Sequence, residues 1–138
     1  MKSKWPSVEL GNLAEFRNGV NYTQAARRRG GLPIVGVKDF QSRSFVEFEG
    51  LEELDPAEVD YGETTIQKDD ILFVRSNGNR QLIGRSLLVR NIPPRPTTYS
   101  GFTIRLRFIN SLCDPRFFCI CAAWSSHPAS SIKSGWWH

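Results

Sequence analysis

The side chains best equipped for chemistry crowd between positions 75 and 85. Arg75, Ser76, Asn77, Asn79, Arg80, Gln81 and Arg85 stand there, interrupted only by Gly78, Leu82, Ile83 and Gly84. These are the types that read base edges: an arginine fork matches the two acceptors of guanine, and an Asn or Gln amide matches adenine. Ser76 and the backbone N–H groups around Gly78 suit phosphate oxygens. An ordinary solvated turn has the same composition, so composition leaves both readings open. Arg105 and Arg107 share one face of an alternating stretch, where they either track phosphates or keep that face solvated; we read them, with Arg85, as backbone contacts. Tyr22 offers its ring and hydroxyl to a base or sugar, unless the ring is buried and the hydroxyl bonded. Lys38 leaves a strand end, in a place that serves either binding or a turn. Arg27-Arg28-Arg29, before Gly30-Gly31, either folds over a duplex or is a solvated cluster.

Other chemistries fail on spacing. An adenine methyltransferase needs an Asn/Asp-Pro-Pro-aromatic loop, and the nearest stretch is Asn91-Ile92-Pro93-Pro94-Arg95. No lysine follows an acid by two positions, so the Glu/Asp-x-Lys of many metal-dependent nucleases is missing, and there is no Gly-x-x-x-x-Gly-Lys loop. A zinc site would have to draw on Cys113, Cys119, Cys121, His127 and His138, with no Cys-x-x-Cys pair among them. If residues 115–124 are helical, Cys119 and Cys121 point about 200° apart. The three cysteines read as buried, reduced thiols of a cytoplasmic protein. Both histidines lie far from any activated Ser or Cys. The expectation is a chain that is not an enzyme, with no cofactor and no metal.

The 138 residues are 40% hydrophobic and 23% charged, which fits one globular domain and argues against wholesale disorder. No run approaches the ~18 apolar residues of a membrane span, and the N-terminus has no apolar leader segment. The net charge of +4 conceals an asymmetry. Residues 1–70 hold nine Lys/Arg against thirteen Asp/Glu, whereas residues 71–138 hold nine Lys/Arg against Asp114 alone. A basic half with spaced arginines is the footprint of a phosphate-backbone binder, or else a solvated face.

The elements that position these residues follow from pattern. Leu10, Leu13 and Ala14 at helical spacing, with Gly19 as a stop, predict a short helix over 7–19. Residues 20–33 read as a polar loop, Ile34–Val37 as a strand, and Phe45–Phe48 as another. Asp55-Pro56-Ala57-Glu58 is a helix start, and Tyr61-Gly62 keeps that helix short. Lys68-Asp69-Asp70 is a turn before Ile71-Leu72-Phe73-Val74-Arg75, the most strand-like run. Asn77-Gly78 favours a hairpin reversal, and 82–89 returns as a strand. Residues 91–98 form a proline-rich loop. Phe102, Ile104, Leu106 and Phe108 alternate with Thr103, Arg105 and Arg107 as a strand. Asp114-Pro115 opens a helix to about Trp124. The division is thus a domain over 1–124 and an irregular Ser/Trp-rich tail over 125–138, with an α/β (α+β) fold built on a mixed, mostly antiparallel twisted sheet and short helices.

Five blocks also occur in a recognisable order. They are Trp5-Pro6-x-Val8-x-Leu10-Gly11-x-Leu13-Ala14-Glu15-Phe16-x-x-Gly19, Pro33-Ile34-Val35-x-Val37-Lys38-Asp39-Phe40, Asp70-Ile71-Leu72-Phe73-Val74-Arg75-Ser76-Asn77-Gly78, Tyr99-Ser100-Gly101-Phe102, and Asp114-Pro115-x-Phe117-Phe118. Together they resemble the target-recognition domain of type I restriction-modification specificity (S) subunits, over about residues 5–121. The resemblance implies a non-catalytic domain that contacts double-stranded DNA. Methyltransferase (M) and restriction (R) subunits would supply the reactions and any S-adenosylmethionine, ATP or magnesium requirement. The sequence departs from the family in having one recognition domain, no heptad spacer and a Trp-rich end. The expectation is therefore a single, shortened domain, a truncated product or a domesticated fragment, with two chains associating if recognition is bipartite. The alternative is an interaction fragment that docks on a methyltransferase or a full specificity subunit and modulates the complex. Neither reading involves a membrane.

Overall fold

The computed structural model describes residues 12–41, 43–76, 80–109 and 114–115. Among the described residues, seven strands form two sheets: β1 (Ala14–Asn18), β2 (Arg27–Val35), β3 (Glu52–Leu54), β4 (Ile71–Val74), β5 (Ser86–Leu88), β6 (Thr98–Tyr99) and β7 (Thr103–Phe108). The order β1-β7-β4-β5 makes a four-stranded sheet, antiparallel throughout. The order β3-β2-β6 makes a three-stranded sheet in which β2 and β6 run parallel. Short 3-10 turns at Gln24–Ala26, Val37–Phe40 and Arg80–Leu82 connect them. The fold is α+β, weighted strongly towards strand.

Alternation along each strand explains the layering. On β4, Ile71 and Phe73 join Ala14, Ile104, Leu106 and Leu88 in a core on one face of the larger sheet. Leu72 and Val74 point the other way, into a second core with Leu87, Val35 and Tyr99. That second core takes residues from both sheets and so joins them. Ile34 turns to the far side of β2, where Leu32, Leu54 and Val59 form a third core. The uninterrupted apolar run of β4 thus reflects burial on both faces, as such runs do in doubly covered sheets.

The same geometry overturns the expectation of a solvated arginine face on β7. Arg105 pairs in register with Leu72 of β4 and is 1% exposed. Its Nη2 donates to Glu15 Oε1 at 2.7 Å, and its Nη1 to the carbonyls of Glu63 and Thr65. Arg107 grips the buried Asp70 with two hydrogen bonds of 2.8 Å, from Nε to Oδ1 and from Nη2 to Oδ2. The second oxygen of Asp70 also accepts the Gln67 N–H and closes the predicted 68–70 turn. These bonds raise the Arg107 pKa above its ordinary value, the hydrogen bonding to Asp70 being the main cause. Tyr99 lies beside this network; burial pushes its hydroxyl up to about 12, and that hydroxyl donates to the Arg17 carbonyl. The guanidinium groups of Arg105 and Arg107, expected from the sequence to meet phosphates, are thus engaged within the fold.

Other expectations change for identifiable reasons. The predicted helix over 7–19 is, in its described part, strand β1: Ala14 and Phe16 face Phe108 and Leu106 in register, and pairing with β7 overrides the helical spacing. Gly19 is no helix stop. A Cβ there would lie 2.2 Å from the Ser100 carbonyl oxygen, so glycine is required where the chain passes against β6. The 20–33 loop contains most of β2, and Phe45–Phe48 contributes only a bridge from Phe45 to Leu88. The Asp55 carboxylate does accept the Ala57 N–H as a cap, but only a turn follows. The return strand after the reversal shortens to β5, preceded by Gly84 at φ 89°. The Ser/Trp-rich tail, Cys113, Cys119, Cys121 and the helix expected after Pro115 lie outside the described residues.

Replacing Arg107 by alanine leaves the Asp70 carboxylate buried without its cation. Arg107→Ala is expected to lower the unfolding free energy by about 3–5 kcal/mol, read from the urea midpoint. A surface phosphate-binding arginine would shift it by less than about 0.5 kcal/mol.

Candidate nucleic-acid interface

Three connections meet at the C-terminal end of β4. The β4–β7 ladder runs one step beyond the strand: Arg75 N–H donates to the Phe102 carbonyl at 2.8 Å, and Ser76 N–H shares that acceptor at 3.2 Å. The Arg75 Nη2 donates to the Gly101 carbonyl at 3.2 Å, which ties the side chain to the β6–β7 turn. On the other flank, Gly84 N–H donates to the Val74 carbonyl and Val74 N–H to the Arg85 carbonyl, which pins the β4–β5 connection. Arg85 Nη1 then reaches the carbonyls of Phe40, at 3.3 Å, and Gln41, at 2.5 Å. That contact brings in the 3-10 turn Val37–Phe40, which carries exposed Lys38.

Lys38, Arg75, Ser76, Arg80, Gln81 and Arg85 thus gather at one end of one strand, and all six are exposed. Asn77, Gly78 and Asn79, the expected tip, lie outside the described residues. None of the four cations makes an ion pair among the described residues. The single acid on these segments, Asp39, spends its carboxylate on the Gly36 N–H at 2.8 Å. Tyr22 does not join them. Its ring packs on the third core and its hydroxyl donates to Glu52 Oε2 at 3.2 Å. Tyr22 is half-buried, and burial first, with the neighbouring Glu52 next, raises its pKa. Phe102, which alternation groups with Ile104 on an apolar face, instead lies just ahead of β7, which begins at Thr103, and is 59% exposed. The turn signal Ser100-Gly101 directly before it was the available clue.

No family model matches the sequence, and no curated protein does either. Solved structures do match. A type I restriction-modification system S subunit from M. genitalium aligns over 93% of this chain at TM-score 0.57 and 19% identity. The HsdS subunit from Thermoanaerobacter tengcongensis aligns over 92% at TM-score 0.60 and 15% identity. A chain solved in work on complex assembly and conformational transition of the type I R-M system aligns over 95% at 0.62 and 14%. The chain shares the fold of type I S subunits. It spans 29%, 28% and 31% of those three chains respectively, a single-domain share.

Away from the end of β4, several arginines of this S-subunit-like fold are ion-paired, while Arg90 stacks on the Phe45 ring. Arg27 pairs with Glu52 at 2.5 Å, Arg28 with Asp55 at 3.3 Å, and Arg95 with Glu53. Arg17 pairs with Glu63 at 2.9 Å. The Arg27–Arg29 run belongs to β2 and not to a free loop. Arg27 and Leu32 both oppose Leu54, so residues 28–31 bulge out, with Gly30 at φ 80°. The bulge borders an open groove of about 510 Å³ with Tyr61, Pro56, Arg95 and Pro96. Among the described residues there is no group of His, Cys, Asp and Glu that would hold a metal, and no helix long and apolar enough to cross a membrane.

The Arg95 hydrogen bond, aided by the Gly30 N–H, holds the Glu53 carboxyl below its ordinary value of 4.5. The folded state therefore gains from this pair above that value and loses the gain as pH falls through the lowered pKa. Arg95→Ala is expected to lower the melting temperature slightly at pH 7, with a deficit that closes as the pH falls through the lowered Glu53 pKa. Thermal melts across pH 3–7 check this; a deficit constant with pH contradicts it.

Proposed function

We propose that this chain is a non-catalytic DNA target-recognition module of the type I specificity kind, which reads duplex DNA with the end of β4. The observation that carries the proposal is the convergence of Lys38, Arg75, Arg80 and Arg85, none of them ion-paired among the described residues, on one strand end beside Ser76 and Gln81. Such clustered cations favour the phosphate backbone, and arginine and amide side chains beside them supply direct base readout. The likeness of fold to S subunits supports the same assignment. In this reading Arg75, Arg80 and Gln81 face base edges with Asn77 and Asn79, while Lys38, Ser76 and Arg85 meet the backbone. The module directs M and R subunits, which perform methyl transfer and cleavage, to the target site.

The test is selection from a randomised duplex library with the full chain, followed by fluorescence anisotropy at several salt concentrations. The binding constant is expected to fall steeply with salt. Lys38→Ala should weaken all sequences alike and reduce the salt slope by about 0.9. Arg80→Ala should relax preference at one base position by about 1–3 kcal/mol. Absence of salt-dependent binding overturns the proposal. Co-purification with an M or full S subunit, without any shift of DNA, favours the interaction-fragment reading instead.

A further inference from the structure

The turn between β6 and β7 is fully hydrogen-bonded along its backbone, yet it holds an aromatic ring in solvent. Ser100 N–H donates to Val35 O at 2.9 Å, Gly101 N–H to Val20 O at 2.8 Å and Thr103 N–H to Ser100 O at 2.9 Å. Phe102 N–H donates to Ser100 Oγ at 3.1 Å, and the Phe102 carbonyl accepts from Arg75 and Ser76. The Gly101 carbonyl accepts from the Arg75 guanidinium, and the Thr103 carbonyl from Gly19 N–H. Thr103 Oγ1 adds a bond to Ser100 O at 2.7 Å. Gly101 also fits closely: a Cβ there would lie 2.3 Å from Asn21 Oδ1. Nothing in this turn is loose enough to fold the ring inward. Full burial of a phenylalanine is worth roughly 1.5–3 kcal/mol, which the turn forgoes.

The ring's place matters as much as its exposure. Phe102 directly precedes β7, and Ile83, 42% exposed, lies just before β5 on the opposite flank of β4. Two exposed apolar residues therefore lie on the connections that flank the cationic end of β4. Arginine and amide side chains suit the major groove, where the one apolar feature of a base pair is the thymine C5-methyl.

We propose that Phe102 is a specificity-determining residue that packs on a thymine methyl group in the major groove of the bound duplex. This inference rests on the DNA-recognition reading and names its apolar component. The experiment is a cycle between protein and DNA. A duplex selected by the full chain is remade with uracil in place of each thymine in turn, which removes only the methyl. At one position the wild type should lose affinity by about fourfold, as for one buried carbon. Phe102→Ala should lose a similar factor on the thymine duplex and show no further loss with uracil at that position. Its salt slope should be unchanged, because no phosphate contact is removed. Phe102→Leu, which keeps an apolar group, should retain part of the thymine preference, and a melting temperature within a few degrees of wild type marks each variant as folded. If Phe102→Ala binds the selected duplex as well as wild type, or keeps the full thymine-to-uracil effect at every position, the inference is overturned while DNA recognition stands. If the wild-type chain selects no duplex, both fall.

Discussion

Strand β4 has water on neither side. Ile71, Leu72, Phe73 and Val74 are each 0–1% exposed, and this dryness dictates what its neighbours must do. β7 lies alongside and places Arg105 on the face that Leu72 occupies. A guanidinium taken from water there costs several kcal/mol unless it is paired and hydrogen-bonded. Glu15 from β1 and two carbonyls from the 63–65 segment bind the two Nη atoms of Arg105, leaving its buried Nε without a partner among the described residues, and Asp70 meets the requirement for Arg107. The acidic first half of the sequence thereby finds its use: it neutralises arginines inside and around the sheets. The cations at the end of β4 make no ion pair among the described residues.

The pattern of the sequence made some of this visible and hid the rest for definite reasons. β4 and its preceding turn were legible because an apolar run after Asp69-Asp70 is a local signal. β7 was legible as a strand because its alternation is strict. Its second face was not, since alternation separates two sides without saying what covers either. The second sheet and the 63–65 segment are remote in sequence and supply that cover. β1 was misread because the spacing of Leu10, Leu13 and Ala14 is helical, whereas the partner that makes residues 14–18 a strand lies at 104–108. The candidate site was partly legible: Arg75, Arg80 and Gln81 stand out by type, but the company of Lys38 depends on the reach of Arg85 to the 40–41 carbonyls. Phe102 was hidden by continuing an alternation one residue past the strand's true start.

The two sheets meet where glycines permit it. Gly19 passes the carbonyls of Tyr99 and Ser100 at distances no side chain would allow, and Gly101 does the same beside Asn21. The chain leaves the smaller sheet at Tyr99 and enters the larger one at Thr103, so these contacts set the angle at which the β6–β7 turn is held against Arg75. A rigid turn of this kind is what a recognition surface needs, since positioning by well-packed strands is more accurate than positioning by free loops.

The pairing of β1 with β7 has a consequence for how the protein is made. Glu15 and Arg105 are 90 positions apart. At translation rates of about 5–20 residues per second, the first strand waits roughly 5–20 s for the last to emerge. Throughout that interval the apolar side of Phe16 and the backbone edge of its strand have no native neighbour. Assembly of the larger sheet is thus completed late, only once its closing strand has arrived.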